Sequence, residues 1–137
     1  MNKKLYYIEN VYTNPYYNLA LEEYLLTSKQ NMDFVTLWQN ENTVVIGNNQ
    51  NAYEEINTQF VEDNNITVVR RTTGGGAVYH DLGNLNFSFI TELNEEEGHT
   101  INDFIMPVIS ALADMGVSAE ANGRNDITIN GQKISGN

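Results

Sequence analysis

The segment with most chemical potential is Arg70-Arg71-Thr72-Thr73-Gly74-Gly75-Gly76-Ala77-Val78-Tyr79-His80-Asp81. Three consecutive glycines let a backbone approach a ligand closely and take positive φ where needed. Successive N–H groups in such a turn form a concavity suited to phosphate or carboxylate. Arg70 and Arg71 add fixed positive charge to a chain with 7 basic and 18 acidic residues. The spacing is not that of a dinucleotide-binding loop, because Tyr79 stands where G-x-G-x-x-G needs its last glycine. Nor is there a Walker loop, and Gly131-Gln132-Lys133 belongs to a hairpin turn.

Each of these residues also has a plainer reading. A glycine triplet forms a tight turn or bulge as readily as a ligand loop. Alternation sends Arg70 and Arg71 to opposite faces, so only one can serve a site. His80 is either a hydrogen-bonded structural residue or a titrating one. Lys133 alone reads as a solvated strand lysine, and Trp38 alone as core. Residue type does not choose among these.

The elements that would position them can be read from pattern. Leu5–Ile8 suits a first strand. Asn14-Pro15 reads as N-cap and first helical residue, with the helix running to about Lys29. Tyr17, Leu21, Tyr24 and Leu25 share one face of that helix, and Glu22 and Glu23 are expected on the wetter side. Phe34–Gln39 and Thr43–Gly47 read as strands covered on both faces, separated by Asn40-Glu41-Asn42. A short helix is expected over Thr58–Asn64 and a strand over Ile66–Arg70. Ala77–His80 and Leu85–Thr91 read as a strand pair around the turn Asp81–Asn84.

Past the acidic loop Glu95–Gly98, Thr100 to Asp103 resembles a capping box. Ile101, Phe104, Ile105, Val108, Leu112 and Met115 then continue a helix face that ends at Gly116, with Pro107 bending it. The last element is a hairpin about Asn130-Gly131. Its expected register sets Ile129 opposite Gln132, Thr128 opposite Lys133 and Ile127 opposite Ile134. Lys133 and Thr128 then lie on the face away from the three isoleucines.

Composition bounds the rest. The chain has 137 residues, 41 % of them hydrophobic, so a single domain with a real core is expected over 1–137. It has no cysteine, which removes disulfides, thiolate metal sites and a cysteine nucleophile from these residues. No residue is assigned as a metal ligand. The net charge of −11 and the lack of a basic stripe argue against nucleic acid. No apolar run is long enough for a membrane span, and Met1–Leu5 lacks the apolar core of a signal peptide, so a cytoplasmic protein without a membrane partner is expected.

Taken in order, Arg70–Ile90 (RRTTGGGAVYHDLGNLNFSFI) and Gly123–Gly136 (GRNDITINGQKISG) resemble the lipoate–protein ligase A family. Asn18–Glu23 and Thr43–Gly47 look like that family's opening. The resemblance implies an α/β fold, a mixed sheet flanked by helices and related to biotin ligases. It implies ATP-dependent adenylation of lipoate, Mg²⁺ accompanying the nucleotide, and transfer to a lysine of a lipoyl-domain acceptor. Such acceptors are the E2 subunits of 2-oxoacid dehydrogenases and the glycine cleavage H protein.

By motif position, Arg71 and Gly76-Ala77-Val78-Tyr79 would contact ATP or the adenylate, flanked by Gly75 and His80. Lys133 would be the active-site lysine touching lipoate and phosphate, with Arg71 also on lipoate and Trp38 near the lipoyl pocket. The family's catalytic domain continues beyond the lysine motif, so these residues would be its N-terminal portion. An octanoyltransferase on the same fold, or a non-catalytic lipoate-binding fragment, is the alternative.

Overall fold

The structure is a computed structural model that describes residues 4–28, 32–91, 100–123 and 126–136. It is a mixed α/β chain in two compact units, Met1–Glu92 and Leu93–Asn137. The first unit holds two three-stranded sheets, each built around one central strand. In one sheet β2 (Met32–Trp38) pairs parallel with β1 (Lys4–Ile8) and antiparallel with β6 (Asn86–Ile90). In the other, β3 (Thr43–Ile46) pairs parallel with β4 (Thr67–Arg70) and antiparallel with β5 (Val78–His80).

β5 and β6 therefore do not form the strand pair expected from sequence. Asp81 turns the chain through its carbonyl and carboxylate, which accept from Asn84 N–H and Gly83 N–H. That turn carries the chain from one sheet to the other. Each central strand already has a parallel partner on one edge, and the incoming strand completes the opposite edge.

α1 (Pro15–Thr27) opens as expected, with the Asn14 side chain accepting from the N–H groups of Tyr16 and Tyr17. Its buried face differs from the expected one. Pro15, Asn18 and Leu25 are buried, whereas Tyr17 and Tyr24 are exposed. Asn18, Glu22 and Leu25 lie at helical spacing, so Glu22 sits on the packed side and not on the wet one. Two short helices, α2 (Ala52–Glu55) and α3 (Thr58–Asp63), begin at Asn51 and Asn57, whose side chains cap them in the same way. β3 is covered on both faces, while β2 buries Phe34, Thr36 and Trp38 and leaves Leu37 exposed.

The second unit contains α4 (Ile101–Asp114) and the antiparallel sheet β7 (Glu120–Ala121), β8 (Asp126–Ile129), β9 (Gln132–Gly136). Asp103 closes the N-terminus of α4 by accepting from Thr100 N–H at 2.7 Å. Gly116 (φ +83°) ends it, with Gly116 N–H bonded to Ala113 and Val117 N–H to Leu112, the paired pattern of a Schellman motif. Pro107 lies within the helix, which runs through it as one element. Phe104, Ile105, Val108 and Leu112 supply the covered face, while Ile101 and Met115 are exposed.

Asn130 and Gly131 both take positive φ, as a two-residue hairpin turn requires. Thr128 faces Lys133 and Ile129 faces Gln132, but Ile127 faces Ser135 and not Ile134. The register shift leaves Ile134 as an extra, exposed residue in β9, while Ile127 is fully buried.

Candidate functional site

Arg70 ends β4, Arg71 follows it, and the two side chains part at once. Arg70 donates through Nη1 to the carbonyls of Gly47, Asn48 and Gln50, at 2.8, 3.1 and 2.8 Å. It therefore fastens the loop after β3. Arg71 turns the other way, into the glycine segment. Its Nη2 donates to Gly74 and Gly76 at 2.7 and 2.8 Å, its Nε also to Gly74, and its Nη1 to Val45.

The guanidinium thus holds the loop by its carbonyls. In the same stretch, Gly74, Gly75 and Gly76 donate no backbone hydrogen bond among the described residues. Three consecutive N–H groups are left available beside a fixed positive charge. That is the chemistry of an anion cradle.

The glycines divide into two kinds. Gly75 has φ +96°, and a side chain there would meet Arg71 Nη2 at 2.8 Å. A side chain at Gly47 would be driven into the backbone carbonyl of Gly75. These two are glycine because the loop packs on itself. At Gly74 and Gly76 a Cβ would meet no atom within 4 Å. Nothing among the described residues occupies that space.

Beyond the loop, Ala77 is half-buried, and Val78 and Tyr79 are exposed on β5. Tyr79 donates its hydroxyl to Asn42 at 3.0 Å. His80 is buried against Trp38, with ring centroids 5.9 Å apart in an edge-on arrangement. Its pKa is lowered, first by burial and then by the charge of Arg71. Trp38 is itself buried, and its indole N–H donates to Ser88 Oγ at 2.9 Å.

Ser88 in turn donates to Glu22 through a short hydrogen bond. The Glu22 carboxyl is raised above its ordinary pKa of 4.5 by burial, an effect partly offset by the Ser88 hydrogen bond. Glu22 lines a cavity of about 370 Å³ together with Tyr16, Leu19, Val69, Arg70 and Thr72. A second hollow of about 570 Å³ lies beside Tyr79, Val44, Ile56 and Phe60. Among the residues singled out from sequence as site residues, only Tyr79 lines either one.

Lys133 stands in the second unit. Its ammonium pairs with Asp126 at 2.9 Å, with the lysine largely exposed and the aspartate much less so. Asp126 lies two residues from Thr128 and so on the face that carries Lys133, and the shift at Ile134 sets Gly136 opposite it in place of Ser135. A Cβ at Gly136 would stand 3.0 Å from Lys133 Nζ, so glycine leaves the lysine room to lie across the strand.

The structure therefore brings together Arg71, the glycines and His80, and joins Trp38 to His80. Sequence reasoning missed Glu22, Ser88, Asn18 and Asn40. The one available signal was helical spacing, since Asn18 and Glu22 lie four apart and Leu25 follows three later. Among the described residues no group of three or more acidic or histidine side chains could hold a metal ion. No described helix is long and apolar enough to cross a membrane.

The mixed α/β scaffold presents a glycine loop braced by arginine, with backbone N–H groups of the kind suited to an anionic ligand. A model of the lipoyl protein ligase A/B catalytic domain matches residues 14–137, and the chain belongs to that family. It is 52 % identical over 133 residues to lipoate-protein ligase LplJ of Bacillus subtilis, covering 96 % of this chain and 40 % of that protein. The chain thus spans about two fifths of that relative's length.

Among solved structures it is similar to P. falciparum LipL1 in complex with lipoate, at 33 % identity and a TM-score of 0.80. That match covers 97 % of this chain and 43 % of the other. Lipoate-protein ligase A bound with ATP matches at 30 % identity and a TM-score of 0.78, covering 98 % of this chain and 59 % of that one. A structure of an archaeal lipoylation system, a bi-partite lipoate protein ligase and its E2 lipoyl domain from Thermoplasma acidophilum, matches at 30 % and 0.80, covering 97 % and 53 %.

The two kinds of glycine separate in a denaturant melt. Gly47→Ala should destabilise the protein by about 1–3 kcal/mol or more, because the obstacle is backbone. Gly76→Ala should stay within about 0.5 kcal/mol of the parent. Equal losses at both positions would contradict this division.

Glu22 carries a pH signature. A carboxyl whose folded pKa lies above its unfolded one binds its proton more tightly in the folded state. Its contribution is fully present below the unfolded pKa and is lost as pH rises through the folded value. Thermal melts should therefore show a decline above the ordinary value of 4.5 that Glu22→Gln flattens. An unchanged slope in the variant would place the decline elsewhere.

Proposed function

We propose that this chain is the N-terminal portion of the catalytic domain of an ATP-dependent lipoate–protein ligase, with both compact units belonging to that one domain. The observation that carries the reading is the glycine loop, whose carbonyls are held by Arg71 and whose N–H groups remain available to an anion. Family membership across residues 14–137 supports the same reading, as do the ATP named with one similar structure and the lipoate named with another.

The reaction has two steps. A carboxylate oxygen of lipoate attacks the α-phosphorus of ATP, the bond to the β-phosphate oxygen breaks, and pyrophosphate leaves. The amine of an acceptor lysine then attacks the acyl carbon of lipoyl-AMP, loses a proton, and expels AMP. The anhydride is already activated, so no enzyme nucleophile is required.

In the first step two anions must meet. Arg71 and the backbone of Gly75, Gly76, Ala77, Val78 and Tyr79 are assigned to the nucleotide or adenylate. His80 flanks them and Trp38 is assigned to the lipoyl group. Lys133 is assigned, on the GQKISG motif, as the ammonium that offsets the charge of carboxylate and α-phosphate. Preorganised groups of this kind typically contribute about 10²–10³ in rate. Mg²⁺ would arrive with the ATP phosphates, and no side chain is assigned to it. The acceptors are lipoyl domains of 2-oxoacid dehydrogenase E2 subunits and the glycine cleavage H protein, in the cytoplasm.

In the full-length enzyme, pyrophosphate release should require lipoate or octanoate and should occur without an acceptor protein. Gly76→Val should weaken ATP use in the same assay while the protein stays folded. Acyl transfer from an octanoyl carrier protein without ATP would move the assignment to an octanoyltransferase.

Lys133→Ala removes an ion pair whose lysine end is exposed, so stability should change by about 0.2–1 kcal/mol. Single-turnover formation of lipoyl-AMP should nevertheless fall by about 10² or more. Lys133→Arg should rescue only in part, since a planar fork does not replace a compact ammonium. Near-normal adenylate formation by a folded Lys133→Ala protein would remove this lysine from the mechanism.

A further inference from the structure

A chain of buried amides runs from the start of α1 to His80. Asn18 and Asn40 are 1 % and 0 % exposed, so bulk solvent does not reach them and their polar atoms need partners inside the protein. Asn10 Nδ2 donates to Asn18 Oδ1 at 2.9 Å. Asn18 Nδ2 faces the carbonyls of Tyr12 and Gln39 at 3.2 and 2.9 Å and Asn40 Oδ1 at 2.9 Å. Asn40 Nδ2 then stands 3.3 Å from His80 Nδ1.

The direction of each amide follows from groups that cannot reverse. Backbone carbonyls only accept, so the Asn18 atom facing Tyr12 O and Gln39 O is its NH₂. The Tyr12 N–H only donates, and it donates to Asn10 Oδ1 at 3.1 Å, which turns the Asn10 NH₂ toward Asn18. Two independent backbone anchors thus agree on the same orientation. Asn40 must therefore show its oxygen to Asn18 and its NH₂ to His80. A donor opposite Nδ1 requires that Nδ1 carry no proton.

We propose that Asn40, anchored through Asn18, is a positioning residue that holds His80 as the neutral Nε2–H tautomer, so that the ring meets the ligand as a hydrogen-bond donor and not as a base. His80 Nε2 has no partner among the described residues. The depressed pKa, from burial and from Arg71, agrees with a ring that stays uncharged. The acceptor it would meet is a carboxylate or phosphoryl oxygen, the groups for which the neighbouring loop is built. This ligand half rests on the adenylating role proposed above, and the tautomer half does not.

The test begins with ¹⁵N-histidine NMR of the protein at neutral pH, the His80 signal being assigned by its loss in His80→Gln. Nδ1 should resonate in the unprotonated range and Nε2 in the protonated range. Asn40→Asp places a carboxylate opposite Nδ1, which should exchange the two and move the titration to higher pH. A protonated Nδ1 in the parent overturns the proposal whether or not the variant folds. In lipoyl-AMP formation, His80→Phe should lose about tenfold in kcat/KM, the scale of one hydrogen bond to a charged group. His80→Gln, which keeps an N–H donor, should recover most of that loss. A fully active His80→Phe protein overturns the donor role alone. A parent that releases no lipoate-dependent pyrophosphate overturns the adenylation reading while the spectrum still decides the tautomer.

Discussion

The geometry of the first unit depends on one side chain, Arg71. Its guanidinium satisfies three backbone carbonyls, that of Val45 on β3 and those of Gly74 and Gly76 in the glycine loop. Hydrogen bonds to a charged group contribute about 1.5–3 kcal/mol where well formed. Here they join β3 to the glycine loop and set the loop's path. The same charge lowers the basicity of His80. A lysine could supply the charge but not the planar fork that reaches several carbonyls at once. With the Gly74 and Gly76 carbonyls committed to Arg71, Gly74–Gly76 keep their N–H groups uncommitted among the described residues, and the cradle is a consequence of how the loop is held.

Around this brace the fold uses buried polar groups where a plainer domain would use hydrocarbon. Asn18 ties α1 to the end of β2, and Asn40 ties that crossing to His80 on β5. Trp38, Ser88 and Glu22 link β2, β6 and α1 in a second chain. Burying such groups is costly unless each finds a partner, and nearly all of these do. In return the two sheets and the helix are fixed in one register relative to one another. A loop that presents its backbone to a ligand gains more from that precision than from extra stability.

Much of this was legible in the sequence, and the failures have definite causes. The helix at Asn14-Pro15, the Thr100–Asp103 cap, the Gly116 stop and the Asn130-Gly131 turn were readable because each is local chemistry. The pairing of Val78–His80 and Asn86–Ile90 was not. Adjacent strands joined by a turn suggest a hairpin, and only the occupied edges of β2 and β3 decide otherwise. Glu22 was assigned to solvent because a carboxylate usually belongs there, and its partner Ser88 is remote in sequence. The extra residue at Ile134 carries no signature in residue type. It leaves Lys133 opposite Thr128 but changes what lies beyond, setting Gly136 and not Ser135 opposite Asp126. The order of the arginine–glycine and lysine motifs pointed to the family, which the match over residues 14–137 establishes.

The central claim is that the N–H groups of Gly74–Gly76, in a loop that Arg71 holds by its carbonyls, receive the anion. Backbone amide NMR on the isotopically labelled protein, titrated with a non-hydrolysable lipoyl-AMP analogue, tests it most directly. The account predicts the largest shifts at the amides of Gly74, Gly75 and Gly76, with the Arg71 Nε signal retained because its carbonyl partners stay in place. Saturable binding that leaves those three amides unmoved would contradict it, and the triplet would then be a turn and nothing more.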